Sequence, residues 1–565
     1  MKSWRINLIL IFIIFLGLGI IGRLFYLQIS QYDLYKALAK GQQKFFTQIE
    51  GSRGEIVCQD KKGNLYPLAI NEDWQLAYAS PQEVKDKSAT ADSLTQILGL
   101  EKDFILDKLN KDGLYELLKN KLNKEEVAAL KEANLTGIYL GEERGRQYPL
   151  EKFASSLIGF VGGEKSGQYG LEEYWEETLR GKEKFIEGEK SSKGYSVFFD
   201  TLNNSAQEGA DLILNIDYNI QYFAEKLLAE AYESLNIEEG QIVVMDPTSG
   251  KILALASWPG FNPNEYSTQE MATFQNGTVQ KIFEPGSVFK PITMAIALNE
   301  GKITPETTYY DKGIIQVGGY TIHNYNDRAW GECSMTEVLE RSINTGAVFA
   351  ANQISNETFL KYVDNFKLFE PTGIDLSGEV FSTNQSFKKG YEINFANASF
   401  GQGIEMTPVQ LMQAYSAFAN NGKMIKPYVV ETIMNKTGGK TEIKPEIDEE
   451  PVISPETARK VTEMLVSVIE NGFSKAARIP GYYIAGKTGT SQVSYSALGI
   501  NQAGYSEKTI QSFIGYAPAF DPRFLMLVKL DNPQTRTAEY SAMPVWRDLA
   551  KYIIDYYQIP PDYEE

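Results

Sequence analysis

Residues 283–301 read FEPGSVFKPITMAIALNEG. Pro285 and Gly286 punctuate a turn, and the apolar run that follows predicts a helix ending at Gly301. Pro291 falls in its first turn, where a missing N–H costs little. Ser287 therefore opens a helix, where free N–H groups and the positive dipole end stabilise an oxyanion. Lys290 lies three residues on, on the same face and within reach of the hydroxyl. To serve as a base it must be neutral, so burial or a cationic neighbour has to depress its pKa. Alone, the pattern is weak. Ser-x-x-Lys occurs about twice by chance in such a chain, and Ser386-Phe-Lys-Lys389 is a second copy. An isolated match reads as an N-cap serine followed by a solvated lysine.

Two further stretches give the first copy its weight. Ser342-Ile-Asn344 follows the amphipathic SMTEVLER, and Lys487-Thr-Gly-Thr490 follows the β run YYIAG and precedes SQV. Helix, loop and strand contexts thus occur in the order 287, 342, 487. Decoys read differently: Ser382-Thr-Asn384 lies in a loop, and Lys436-Thr-Gly438 sits in NKTGGK, a hairpin turn between VVETIM and TEIKPEI. Ser386 has no Ser-x-Asn between it and either Lys-Thr-Gly.

The rest of the chain bounds the function. Its 565 residues suit about three units. With 43% hydrophobic and 23% charged residues the composition is that of a folded protein. The net charge of −18, without a basic block, argues against nucleic acid. The single histidine, His323, rules out a multi-histidine zinc site, and a Ser-His-Asp hydrolase would hang on it alone. His323 reads as a loop or surface histidine. Cys58 and Cys333 are too few for a disulfide scaffold and read as small packing residues, though a single bond between them stays open. No metal or cofactor is implied.

Residues 6–22 read INLILIFIIFLGLGIIG, about 26 Å of helix, followed by RLFYLQI with an interfacial arginine and aromatics. This predicts an uncleaved membrane anchor. The nearest A-x-A, at 37–39, lies too far on for signal cleavage. Lys2 and Arg5 favour a cytoplasmic N-terminus, placing the remainder outside. Residues 93–134 predict two or three charged helices with solvated faces. FIEG and YSVFFD, between 181 and 209, read as short strands. QIVVMDP and KILALASWPG form a hairpin. Helical patterns dominate to about 420, and strand-like runs return at 429–434, 482–485, 512–516 and 524–530. A helix-rich middle enclosed by early and late strands predicts an α+β domain with a split sheet.

The set Ser-x-x-Lys, Ser-x-Asn, Lys-Thr-Gly occurs together in penicillin-binding proteins and serine β-lactamases. Nearly end to end the chain resembles a class B penicillin-binding protein, a membrane-anchored D,D-transpeptidase of peptidoglycan synthesis. FEPGSVFKP, QIVVMDPTSGKILALASWPGFNPN, FEPTGIDLSGE, SFGQGIEMTPVQLMQAYSAFANNGKMIKP, IAGKTGTSQ and SFIGYAPA follow in family order. Upstream, RGEI and GRQYPLEKFASSLIGFVGGEKSGQYGLEEYWEETLRG resemble the family's pedestal. The resemblance implies an anchor over 1–28, an elongated α+β pedestal (dimerisation-type) domain over 29–210, and a transpeptidase domain over 211–560 with helices on both sides of an antiparallel sheet. It implies that Ser287 attacks the penultimate D-Ala carbonyl of a stem peptide, with Lys290 as base and Ser342 relaying a proton to the leaving amine. Asn344 would hold the acyl side-chain amide. Lys487, Thr488, Gly489 and Thr490 would bind the substrate carboxylate and line the strand edge. The N–H groups of Ser287 and Thr490 would form the oxyanion hole. Implied partners are peptidoglycan strands, the membrane, a membrane glycosyltransferase and, as inhibitors, β-lactams.

There is one departure: the family's R-G-x-I-x-D-R-x-G-x-x-L-A reads RGEIVCQDKKGNLYPLA, without Asp-Arg and with an insertion. A glycosyltransferase segment is lacking. FEPGSVFKP, the GG-x-T-I-x-N stretch at 318–324 and TGIDLSGE resemble the septal subgroup, with an elongation enzyme as the alternative. A serine β-lactamase would need a way to hydrolyse the acyl-enzyme, for example a deacylating glutamate, and downstream of Ser342 no E-x-x-L-N occurs. A β-lactam sensor of the zinc-protease type would need H-E-x-x-H and more membrane helices.

Overall fold

The computed structural model describes residues 17, 20, 44–49, 51–181, 184–190, 196–198 and 208–564. The expected membrane anchor at 6–22 falls outside them except for residues 17 and 20; among the described residues no helix is long and apolar enough to cross a membrane. The chain divides into two compact units, Met1–Arg53 with Arg180–Gly209 and Gly54–Leu179 with Ala210–Glu565. In the first, Lys44–Ile49, Lys184–Lys190 and Ser196–Phe198 form a three-stranded antiparallel sheet. Two of these are the short strands read in FIEG and YSVFFD.

The second unit holds two large sheets. One is antiparallel, in the order Ile252–Trp258, Glu239–Met245, Phe524–Asp531, Tyr505–Ala517, Ala485–Ser494. Early and late strands thus close on each other around the helical middle. Strand alternation sends neighbouring residues to opposite faces. Phe513 and Gly515 face Trp546 of the C-terminal helix Ala542–Tyr557, the two rings 5.0 Å apart. Tyr516 faces the other way and meets Thr462 of the helix Pro455–Glu470, OH to Oγ1 2.8 Å. Helices therefore cover both faces, which is why Phe524–Asp531 opens with the unbroken apolar run FLMLV and is buried almost throughout. Ala485–Ser494 is left at the edge.

The other sheet corrects one reading. Val430–Met434, expected among the returning strands of the split sheet, pairs instead with Asp211–Asp217 in a seven-stranded sheet with Ile56–Gln59, Leu65–Ala79 and Ile138–Gln147. NKTGGK does make the expected hairpin turn. Within 93–134 the helices Lys87–Leu98, Lys102–Leu109 and Lys124–Ala133 form, but Glu116–Lys119 is a strand paired to Leu65–Ala79. Its ELLK has no clear period, so burial of Leu118 against the sheet decides. The expected helical middle is also interrupted by four short strands between 308 and 334. Cys58 and Cys333 are free and buried in the core, and burial pushes the Cys58 thiol up to about 12.

The insertion in the RGEI segment has a structural place. Asp60 Oδ1 accepts the N–H groups of Lys62 and Asn64 (2.8 and 3.0 Å), closing a tight turn. Lys61 at its tip donates its N–H to Tyr556 OH at 3.1 Å, docking the turn on the C-terminal helix.

Candidate active site

Gly286–Phe289 is a single 3-10 turn that leads directly into the helix Lys290–Asn299. In 3-10 geometry residues i and i+3 eclipse, so Ser287 and Lys290 project together. Lys290 Nζ lies 3.0 Å from Ser287 Oγ. Gly286 has φ +59, and its N–H donates to Gly401 O at 2.9 Å. Tyr415 OH donates to Val288 O at 2.5 Å and pins the turn from beneath.

Ser342 occupies the sharp link between the helices Met335–Glu340 and Asn344–Asn352. Its φ of +53 is the left-handed region, a strained choice for serine that clusters at working sites. The turn gives Lys290 Nζ two acceptors, Ser342 O at 2.6 Å and Ser342 Oγ at 3.1 Å. From the other side Lys487 Nζ donates to the same Oγ at 3.0 Å, and to Thr488 O at 3.0 Å. A continuous chain of polar contacts thus runs Ser287–Lys290–Ser342–Lys487.

Both lysines are buried, and neither ammonium meets a carboxylate in these contacts. Burial, then the charge of Lys487, drives the Lys290 amine well below the ordinary lysine range. Burial lowers Lys487 to about 8, against the opposing pull of Glu539. Desolvation disfavours the ammonium, and two adjacent cations resist sharing the pocket. One amine is thereby released as a base beside the Ser287 hydroxyl.

Gly489 lets the edge strand reach this turn. A Cβ there would sit 2.6 Å from Ser512 Oγ, 2.9 Å from Val288 Cγ1 and 3.0 Å from Pro285 O. Ser491 Oγ completes the seam with a 2.8 Å bond to Glu284 O. The Thr488 and Thr490 hydroxyls, two apart and so on one face, both meet the segment after the last strand. Thr488 Oγ1 donates to Glu539 Oε1 (3.1 Å), and Thr490 Oγ1 accepts the Ala538 N–H (3.3 Å). Asn344 stands apart from the lysine chain, its Nδ2 bonded to His323 O at 3.0 Å. The decoys lie elsewhere: Ser386 is in the short helix Gln385–Lys388, and Lys436 Nζ pairs with Asp211 at 2.8 Å. Glu539, Tyr415 and the Glu284–Tyr505 pair (3.0 Å) carry no signal by spacing. Glu284 lies inside FEPG, but its buried environment, which pushes it up to about 7, exists only once Tyr505 and Glu405 fold around it.

Residues 240–551, more than half of the chain, match the penicillin binding protein transpeptidase domain, and residues 48–214 match the penicillin-binding protein dimerisation domain. The chain belongs to the class B penicillin-binding proteins. This class B penicillin-binding protein is 30% identical to stage V sporulation protein D of Bacillus subtilis, over 94% of its own chain and 82% of that relative. It is 27% identical to the peptidoglycan D,D-transpeptidase FtsI of Escherichia coli K12, over 99% and 93%. Among solved structures it resembles penicillin binding protein 3 of Mycobacterium tuberculosis complexed with aztreonam, with a TM-score of 0.68, 23% identity, and 92% and 98% coverage. It also resembles penicillin binding protein 2X of Streptococcus thermophilus, with a TM-score of 0.70, 24% identity, and 91% and 81% coverage.

Proposed function

We propose that this protein is a serine D-Ala-D-Ala transpeptidase that cross-links peptidoglycan stem peptides in septal wall synthesis. The observation that carries the reading is the buried Lys290 amine, in hydrogen-bond reach of both Ser287 Oγ and Ser342 Oγ. Ser287 Oγ gives its proton to Lys290 and bonds to the penultimate D-Ala carbonyl carbon. The N–H groups of Ser287 and Thr490 take the oxyanion. The C–N bond then breaks, and the terminal D-Ala amine leaves with a proton passed from Lys290 through Ser342. An amine of a neighbouring stem attacks the ester and yields its proton to Lys290, and the C–O bond breaks as Lys290 returns that proton to Ser287 Oγ, restoring the hydroxyl and the neutral amine. Lys487, with Thr488, Gly489 and Thr490 along the strand edge, receives the donor's terminal carboxylate, and Asn344 holds its acyl amide.

The relatives named FtsI support the septal role. The hydropathy of residues 6–22 supports a single membrane anchor with the catalytic domain outside, and the lack of a glycosyltransferase segment favours a separate membrane enzyme that polymerises the strands. We assign residues 29–210 to the pedestal and 211–560 to the transpeptidase domain. A serine β-lactamase needs a way to hydrolyse the acyl-enzyme, for example a glutamate that activates water. Glu284 and Glu539, beside the first and third motifs, are engaged with Tyr505 and Thr488.

Peptide mapping after treatment with a labelled penicillin tests the reading. One adduct is expected, on Ser287, lost in Ser287→Ala and retained in Ser386→Ala, with slow stoichiometric acylation. Labelling at another serine, or rapid turnover of a chromogenic cephalosporin, would overturn it.

A further inference from the structure

Residues 318–324, GGYTIHN, have no part in the acyl transfer just described. Gly318 and Gly319, with φ of +53 and +84, turn the hairpin of Ile314–Val317 against Tyr320–His323. The hairpin delivers two groups to the helix that begins with Asn344. The first is the carbonyl of His323, which accepts Asn344 Nδ2. One edge of the planar carboxamide is thereby spent, and Oδ1 on the opposite edge is the acceptor left for an N–H.

The second is Asn324, 4% exposed, in a buried knot with Asp311 (1%) and Thr345 (3%). Asn324 Nδ2 donates to Asp311 Oδ2 (2.9 Å) and to Arg328 O (3.0 Å). Its Oδ1 accepts the N–H of Thr345 at 3.1 Å. Thr345 Oγ1 donates to Asp311 Oδ1 at 2.6 Å, and the Asp311 carboxylate also accepts the N–H groups of Gly313 (3.0 Å) and Trp330 (2.9 Å). A buried carboxylate and a buried amide, each satisfied several times over, tolerate little displacement. Asn344 lies between the two fixed points, one residue before Thr345 and bonded to the residue before Asn324.

We infer that the Asp311–Asn324–Thr345 knot positions Asn344, fixing the orientation of its carboxamide and thereby setting recognition of an acylamido group on the donor. The inference rests on the proposed role of Asn344. Asn324, Asp311 and Thr345 are positioning residues; they touch no reacting atom.

Second-order acylation rate constants of the full chain with benzylpenicillin, which bears an acylamido side chain, and with 6-aminopenicillanic acid, which has a bare amine there, test it. Asn324→Ala and Asn344→Ala should each lower the benzylpenicillin constant by about tenfold and the 6-aminopenicillanic acid constant by less than about twofold. Thr345→Val, which keeps the shape and removes the donor to Asp311, should give the same split with less effect on melting temperature. Equal losses with both compounds in both variants mean that the knot merely holds the fold, and overturn the inference. A split in Asn344→Ala without one in Asn324→Ala or Thr345→Val also overturns it, leaving the role of Asn344 intact. No split in Asn344→Ala removes that role and the inference with it.

Discussion

At the scale of single residues the chemistry depends on two amines kept in different protonation states. Burial and the charge of Lys487 drive the Lys290 amine well below the ordinary lysine range, whereas Glu539 favours the charge on Lys487. The pair titrates in two macroscopic steps. Acylation needs neutral Lys290 and, to hold the substrate carboxylate, charged Lys487. The rate constant should therefore fall as pH rises through about 8, where Lys487 loses its proton. Glu539→Gln removes the pull that favours the ammonium, so the alkaline limb should move to lower pH. Acylation profiles of the two proteins between pH 6 and pH 10 check this, and a limb that stays in place would show that Glu539 does not control Lys487.

At the scale of elements the decisive contact is between the nucleophile turn and the edge strand Ala485–Ser494, and Gly489 sets their separation. Its missing Cβ would strike Ser512, Val288 and the Pro285 carbonyl, so Gly489→Ala must push the strand off the turn. A displacement near 1 Å costs about a hundredfold in rate. Acylation of Gly489→Ala should drop by about that factor with little change in far-UV circular dichroism. The nucleophile helix was legible because Pro285, Gly286, Pro291 and Gly301 mark its limits, and chemistry needs serine and lysine one turn apart. Glu116–Lys119 was not, because four residues carry too little period and the partner strand decides. Val430–Met434 was recognisable as a strand, yet its sheet was not, since pairing with Asp211–Asp217 spans more than two hundred residues. Glu539 escaped for a related reason: it lies in the single 3-10 turn Ala538–Tyr540, too short to carry a pattern, and only the fold brings it to Thr488.

At the scale of the whole molecule, residues 54–179 and 210–565 share one compact unit held by polar contacts as well as by the common sheet. Arg146 pairs with Glu172 out of solvent (2.7 Å) and donates to Gly54 O. Glu225, on the helix Tyr218–Leu235, accepts the Ala154 N–H at 2.7 Å and Gln221 Nε2 at 2.8 Å. Burial pushes the Glu225 carboxyl up to about 7. The folded chain thus prefers it protonated, while the unfolded chain ionises it near 4.5. Its stabilising contribution is full below about 4.5 and is lost as pH rises through about 7. Glu225→Gln keeps the acceptor without the charge, so its melting temperature should exceed that of the parent at pH 8 and differ little at pH 4.5. An equal shift at both values would exclude ionisation as the cause. The central claim, a neutral Lys290 released by the assembled fold to deprotonate Ser287, is tested most directly by the parent protein's acylation rate with benzylpenicillin from pH 5 to pH 11. The account predicts a rate that peaks well below the ordinary lysine range and declines as Lys487 loses its proton above about 8; a rate that climbs steadily towards the ordinary lysine range near 10.5 would contradict it.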